Sequence, residues 1–231
     1  MSITEERITN FEDLHKAIEG RGYNLGWVYR GQADATWGLV PKIGRTAYLR
    51  LEEKMFLAWQ RYAFEYVQNP KGLDKWDWLA IAQHHGLATR LLDWTTNPLA
   101  AAYFAVEIEL PADAAVYLFR PSTKVNTEKD DNPLSFSGIA QFQPRRVASR
   151  IGRQAGVFTV HGPPNTDLIT AHDPQDEIIK LVIEQSFRSD LKFKLSDLGV
   201  NRATLFPDLD GLSAYINWVS ENWKELFKRA K

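Results

Sequence analysis

The sequence predicts an α+β fold, with a mixed and mainly antiparallel sheet flanked by helices. Three observations lead there. Short apolar runs bounded by turn residues alternate only loosely with segments of helical periodicity, which disfavours a regular βαβ array. The chain has 231 residues with 44% hydrophobic and 25% charged, a globular composition that can bury a core without covalent staples. No repeat or low-complexity tract interrupts it, so residues 1–231 read as one domain.

Taken in order, Phe11, Leu14 and Ile18 recur at helical spacing after Asn10, a candidate N-cap, and Gly20 and Gly22 end that helix. Trp27-Val28-Tyr29 is a strand that stops at Arg30-Gly31, and Trp37 to Pro41 is a turn or extended piece. A helix over 48–67 places Leu51, Met55, Trp59 and Tyr62 or Ala63 inward, with Glu52, Glu53, Lys54 and Arg61 outward. Asp77 to His85 forms a second helix stopped by Gly86, and Leu91-Leu92 is a short apolar piece. Thr95-Thr96-Asn97-Pro98 opens a nearly all-apolar, buried helix running to about Glu109. Ala115 to Arg120, 156–161 and 178–183 read as strands, and Lys124 to Ser137 as a polar, mobile loop. Ser189 to Leu198 is a short helix. A closing helix carries Leu212, Tyr215, Ile216, Val219, Trp223 and Phe227 at helical spacing.

Composition excludes several function classes. There is no cysteine, hence no disulfide framework and no thiolate metal site. The N-terminus has no apolar signal core and no stretch is long enough to span a membrane, so a soluble, cytoplasmic protein without a membrane partner is expected. The net charge of −1 gives no general pull toward nucleic acid, although Arg145, Arg146, Arg150 and Arg153 form a local basic run. His84 and His85 are adjacent and diverge by about 100° on a helix, so they do not share an ion, and no metal is expected. Nucleophile-elbow, Walker and dinucleotide-loop patterns are absent.

Two segments can carry chemistry. Arg30 offers a planar fork of donors at a strand end, and Gly31 lets a ligand approach the backbone. Gln83, His84, His85, Thr89, Arg90, Asp93 and Thr95 crowd around a glycine turn before the apolar helix, whose N-terminal N–H groups would attract an anion. Such groups pair with a ligand or with each other, Arg90 with Asp93 for example.

These residues resemble a known family. Tyr29-Arg30-Gly31-Gln32, the run from Ala82 to Thr95, Asn97-Pro98-Leu99-Ala100 and Tyr103-Phe104-Ala105 are similar to the FRG domain, named for an aromatic-Arg-Gly motif and common in bacteria and phages. Arg153-Gln154-Ala155-Gly156-Val157-Phe158-Thr159 and the block from Gly199 to Tyr215 extend the resemblance over about residues 20–217.

A fainter resemblance links the aromatic-Arg-Gly strand end, and Thr95 before an alanine-rich helix, to arginine-type ADP-ribosyltransferases. It implies a fold of that type and NAD as co-substrate. It assigns Arg30, with Gly31, Gln83, Thr89, Arg90 and Thr95, to nucleotide binding, and Gln154, His84 and Asp93 to catalysis. The Glu-x-Glu that stabilises the transition state in those enzymes is absent; Gln154 stands nearest, with Glu177 and Glu184 as substitutes. The resemblance implies a toxin or anti-phage effector with a nucleic-acid or protein acceptor. The alternatives are a non-catalytic nucleotide- or nucleic-acid-recognition module and a partner-binding scaffold. The sequence does not give the oligomeric state.

Overall fold

The structure, a computed structural model, describes residues 3–67, 69–145 and 156–229. Its elements run β1 (Thr4–Ile8), α1 (Phe11–Ile18), β2 (Val28–Gln32), α2 (Glu52–Ala63), α3 (Lys75–His84), β3 (Leu91–Thr95), α4 (Pro98–Val106), β4 (Ala114–Arg120), β5 (Gly138–Phe142), β6 (Gly156–Gly162), α5 (Leu168–Ala171), β7 (Glu177–Ile183), α6 (Gln185–Asp197), α7 (Arg202–Leu205), α8 (Leu209–Glu221) and α9 (Trp223–Arg229). The strands form one sheet in the order β1-β7-β4-β2-β3-β6-β5. Only β1 with β7 is parallel among the described ladders, so the sheet is mixed and mainly antiparallel, as expected.

The sheet is apolar on both faces. In β4, Ala114, Val116 and Leu118 pack with α1, α4 and α6, while Ala115, Tyr117 and Phe119 pack with Leu39, Trp94 and Leu168. A separate cluster joins Trp76, Trp78 and Leu79 of α3 and Phe56 of α2 to Leu91, Phe158 and Val160 of the β3-β6 half.

Several boundaries differ from the sequence expectation, for identifiable reasons. The helix predicted over 48–67 is α-helical only over Glu52–Ala63, after a 3-10 turn at Leu49–Leu51. Its inward face is rotated: Leu51 and Tyr62 are exposed, and Glu52, read as outward, is buried because Arg90 grips it. α3 begins at Lys75, set by a capping box between Asp74 and Asp77 rather than by apolar spacing. β3 runs through Thr95, and Asn97 caps α4 ahead of Pro98 as expected, but the helix ends at Val106 rather than near Glu109. β1 was not anticipated, because its TEERI sequence buries only Ile8 and shows no apolar alternation. β5 follows directly on the polar loop and was missed with it. The closing helix breaks at Asn222, and Leu212 and Ile216 face outward rather than into the core.

Candidate functional site

The site forms where the sheet nearly divides. β2 pairs with β4 along its length, and β3 with β6. Between them the β2–β3 ladder has a single rung, Tyr29 opposite Thr95. Arg30 stands at the opening and donates from Nη1 to the backbone carbonyl of Asp93 at 2.8 Å, so a side chain takes an acceptor that a ladder bond would otherwise use. Its Nε is shielded from solvent and has no partner among the described residues. Burial holds the Arg30 pKa below the ordinary arginine value; the Asp93 carboxylate counters this and nearby Arg45 adds to it. Arginine starts so far above neutrality that the group remains a cation.

The glycine after Arg30 has a steric cause. A Cβ on Gly31 would lie 2.0 Å from the carbonyl oxygen of Ala101 and 2.6 Å from the amide nitrogen of Ala105. α4 therefore rests directly on the backbone of β2, which the small residues Ala100, Ala101, Ala102 and Ala105 permit.

A cleft of about 660 Å³ opens here, within the range typical of small-molecule sites. Tyr29, Arg30, Gly31, His84, Asp93, Trp94, Thr95 and Gly156 line one part, while Asn97, Ala100, Phe104, Phe158 and the run Thr204 to Pro207 line the rest. Phe104 and Phe206 meet edge-to-face at 6.0 Å, and Arg202 lies 4.2 Å from the Phe206 ring centroid.

Asp93 is exposed on this surface and is the only carboxylate among the lining residues. A short chain of bonds fixes it. The Leu91 amide donates to Thr89 Oγ1 at 3.1 Å, Thr89 Oγ1 donates to Gln83 Oε1 at 2.6 Å, and Gln83 Nε2 donates to Asp93 Oδ2 at 2.7 Å. Each donor is used once, which sets the Gln83 amide orientation.

The sequence-named residues thus separate into groups. Arg30, Gly31, His84, Asp93 and Thr95 come together on the cleft, while Gln83 and Thr89 stand behind Asp93. His84 also packs edge-on against His85 at 5.2 Å. Arg90 is directed elsewhere. It is buried, donates to both carboxylate oxygens of Glu52 at 2.9 and 2.6 Å, and donates to the Pro133 carbonyl at 3.1 Å. The pairing of Arg90 with Asp93 raised from sequence is therefore replaced by one with Glu52.

The expectation of free N–H groups at the start of α4 is corrected too. Pro98 has none, Asn97 Oδ1 accepts from Leu99 and Ala100, and the Ala101 amide bonds the Asn97 carbonyl. Thr95 Oγ1 accepts from the Asn97 amide at 3.1 Å.

Gln154 lies outside the described residues. Glu177 pairs with Arg120 and Glu184 with Arg7, both on β7 or its end, with β4 and β2 between them and the gap. Neither lines the cleft. Among the described residues no group of three or more histidine, aspartate or glutamate side chains is placed to hold a metal. No described helix is long and apolar enough to cross a membrane.

Behind the cleft, His161 is fully buried. Its Nδ1–H donates to the Thr166 carbonyl at 2.9 Å, and Nε2 accepts from Thr159 Oγ1 at 3.0 Å, which in turn accepts from Trp94 Nε1. Burial pushes its pKa down to about 4, so it is neutral at pH 7. Residues not singled out as ligand contacts from sequence are the aromatic walls, Phe104, Phe158 and Phe206. The available signal was that each lies inside one of the blocks quoted above.

No curated protein and no solved structure matches the chain. The FRG domain family model matches residues 26–114, a stretch holding β2, β3, α4 and all the cleft residues from Tyr29 to Phe104. The aromatic-Arg-Gly strand, the capped alanine-rich helix and the Gln83–Asp93 chain between them all lie in the stretch, under half of the chain, over which it is similar to the FRG domain.

Proposed function

We propose that the cleft binds a nucleotide and that NAD is its co-substrate in an ADP-ribosyl transfer, as in a toxin or anti-phage effector. The observation that carries the reading is Arg30, a cation at a parted sheet with a shielded, unpartnered Nε, on a cleft walled by aromatic rings. These residues fit such a ligand. Guanidinium matches phosphate, and rings flank a base.

NAD supplies an ADP-ribosyl group whose bond to nicotinamide breaks, the electron pair leaving with nicotinamide, while a bond to the acceptor nucleophile forms. Arg30 holds phosphate oxygen. Asp93 accepts only, so in an anion-binding cleft it serves groups that bring O–H donors or positive charge. It takes a ribose hydroxyl and offsets the charge that builds on the sugar. Gln83 and Thr89 keep that carboxylate aimed, and His84 receives the acceptor's proton. In this reading Asp93 supplies the carboxylate that the sequence lacks at Gln154.

Calorimetry with NAD, ATP and ADP-ribose tests binding. Arg30→Ala is expected to weaken it by about 10- to 100-fold, and Arg30→Lys not to restore it. Absence of binding to all three removes the proposal. Asp93→Asn is expected to retain binding within about tenfold while lowering nicotinamide release by about 100-fold or more.

A second reading, recognition of a nucleotide or nucleic-acid end without turnover, draws on the position of Glu177 and Glu184 far from the cleft. It predicts saturable binding with no nicotinamide release from the wild-type protein.

A further inference from the structure

Residues four apart lie on one face of a helix. Three helices each turn such a pair toward a common hollow: Tyr103 and Glu107 from α4 and its C-cap, Lys192 and Ser196 from α6, and Ala214 and Trp218 from α8. With Arg202 at the start of α7 they enclose a cavity of about 170 Å³. It shares no lining residue with the cleft at the parted sheet.

The polar groups around this cavity are unbalanced. Its side-chain acceptors are already engaged: the Glu107 carboxylate pairs with Arg202 Nη1, and Asn201 Oδ1 accepts from the Thr204 amide at 3.2 Å. Donors remain. The Lys192 ammonium gives one N–H to the Glu107 carbonyl at 3.0 Å and has two more. Nη1 is the one nitrogen of the Arg202 guanidinium that is bonded among the described residues. The hydroxyls of Tyr103, Ser196 and Tyr215 form no hydrogen bond among those residues. Burial draws the Lys192 pKa below the ordinary lysine value, while Glu109, Glu107 and Glu221 counter it. Of these carboxylates only Glu107 lines the cavity, so the lining holds two cations against one carboxylate. Aromatic surface completes the wall. Trp218 stacks with Tyr215 at 6.3 Å, and Lys192 Nζ lies 5.6 Å from the Trp218 ring centroid.

We infer that this cavity is a second ligand site, which takes a small organic carboxylate with a flat apolar body. The carboxylate accepts from Lys192 and Arg202, with a hydroxyl beside them, and the body lies along Trp218 and Tyr215. The size selects such a ligand. An apolar cavity of about 150 Å³ holds benzene, so one ring with its charged group fits and a nucleotide does not. Inorganic phosphate would use the donors and leave the aromatic wall uncovered. An amine would face two cations.

Titration of the full chain with benzoate, followed by saturation-transfer NMR, tests the inference. Saturable binding is expected with a Kd of about 0.1–5 mM, the strength open to so small a ligand. Benzylamine should not saturate. Lys192→Met keeps an apolar stem on Trp218 while removing the charge and its donors, and should weaken benzoate about tenfold or more. Ala214 stands at an exposed helix position, so Ala214→Trp should fill the cavity and abolish binding with unchanged circular dichroism. If Lys192→Met does not fold, Ala214→Trp decides alone.

Absence of saturation by benzoate overturns the inference, as does binding of benzylamine or inorganic phosphate that equals benzoate in strength. Benzoate affinity unchanged in folded Lys192→Met, or retained in Ala214→Trp, overturns it too. So does benzoate binding that Arg30→Ala removes, which would place the ligand in the other cleft. None of these readouts depends on nucleotide binding.

Discussion

At the scale of residues, Arg30-Gly31 joins two opposite demands. The arginine fills the space where two strands separate, and the glycine lets a helix lie flat on the adjacent backbone. Gly31→Ala puts a methyl group 2.0 Å from a backbone oxygen, so it is expected to cost about 3 kcal/mol. That is a fall of about 6–12 °C in Tm for a chain of this size, measurable by calorimetry. Arg90 behaves differently from Arg30. Arg90→Ala strands the buried Glu52 charge and is expected to destabilise by about 3–5 kcal/mol. Nucleotide binding by whatever folded fraction remains should be unchanged, as isothermal titration at low temperature can show. His161 ties stability to pH. Its folded pKa, about 4, lies below the unfolded value near 6.5, so between these values the unfolded chain binds a proton that the folded chain refuses. The neutral form's contribution is complete above about pH 6.5 and declines by about 3 kcal/mol as pH falls to about 4. Denaturant titrations across that window should show the decline, with a shallower slope in His161→Gln.

At the scale of elements, α4 shows how local chemistry and tertiary packing divide the work. Asn97 satisfies two amides and proline occupies the first position, so the helix starts at one defined residue. Asn97→Ala is expected to lower stability by about 1 kcal/mol, a shift of about 2–4 °C in Tm. Elements of this kind were legible in the sequence. α1 was read to the residue, because Asn10, Phe11, Leu14 and Ile18 give cap and periodicity together. The strands at Ala114–Arg120 and Glu177–Ile183 were read to within a residue, because their apolar runs are long and interrupted only by Lys180. What escaped was set by distant partners. β1 is a charged edge strand that exists because β7 offers its backbone. Glu52 looked like solvent-facing charge because Arg90, 38 residues away, is invisible to periodicity. The candidate site was legible as a list of polar residues but not as roles. Which arginine lines the cleft and which is buried against a carboxylate is decided by Glu52 of α2, which takes Arg90 and leaves Arg30 at the parted sheet.

At the scale of the whole molecule, the seven-stranded sheet consists of four strands, β1-β7-β4-β2, and three, β3-β6-β5, joined by one backbone rung and by the Arg30 side chain. The proposed ligand contacts draw on both parts, Arg30 from one and Asp93 and Phe158 from the other, with Phe104 of α4 beside them. So sparse a junction has a dynamic meaning. A sheet zipped along its whole width opens from its edges inward, whereas this one has an internal line along which amides can exchange with solvent while both margins stay closed. Hydrogen–deuterium exchange should find early deuteration at Gly31 and at Asp93, beyond the single rung and inside the sheet, ahead of the core of β4. A molecule bridging the line would act as a suture, and protection would appear on both sides at once.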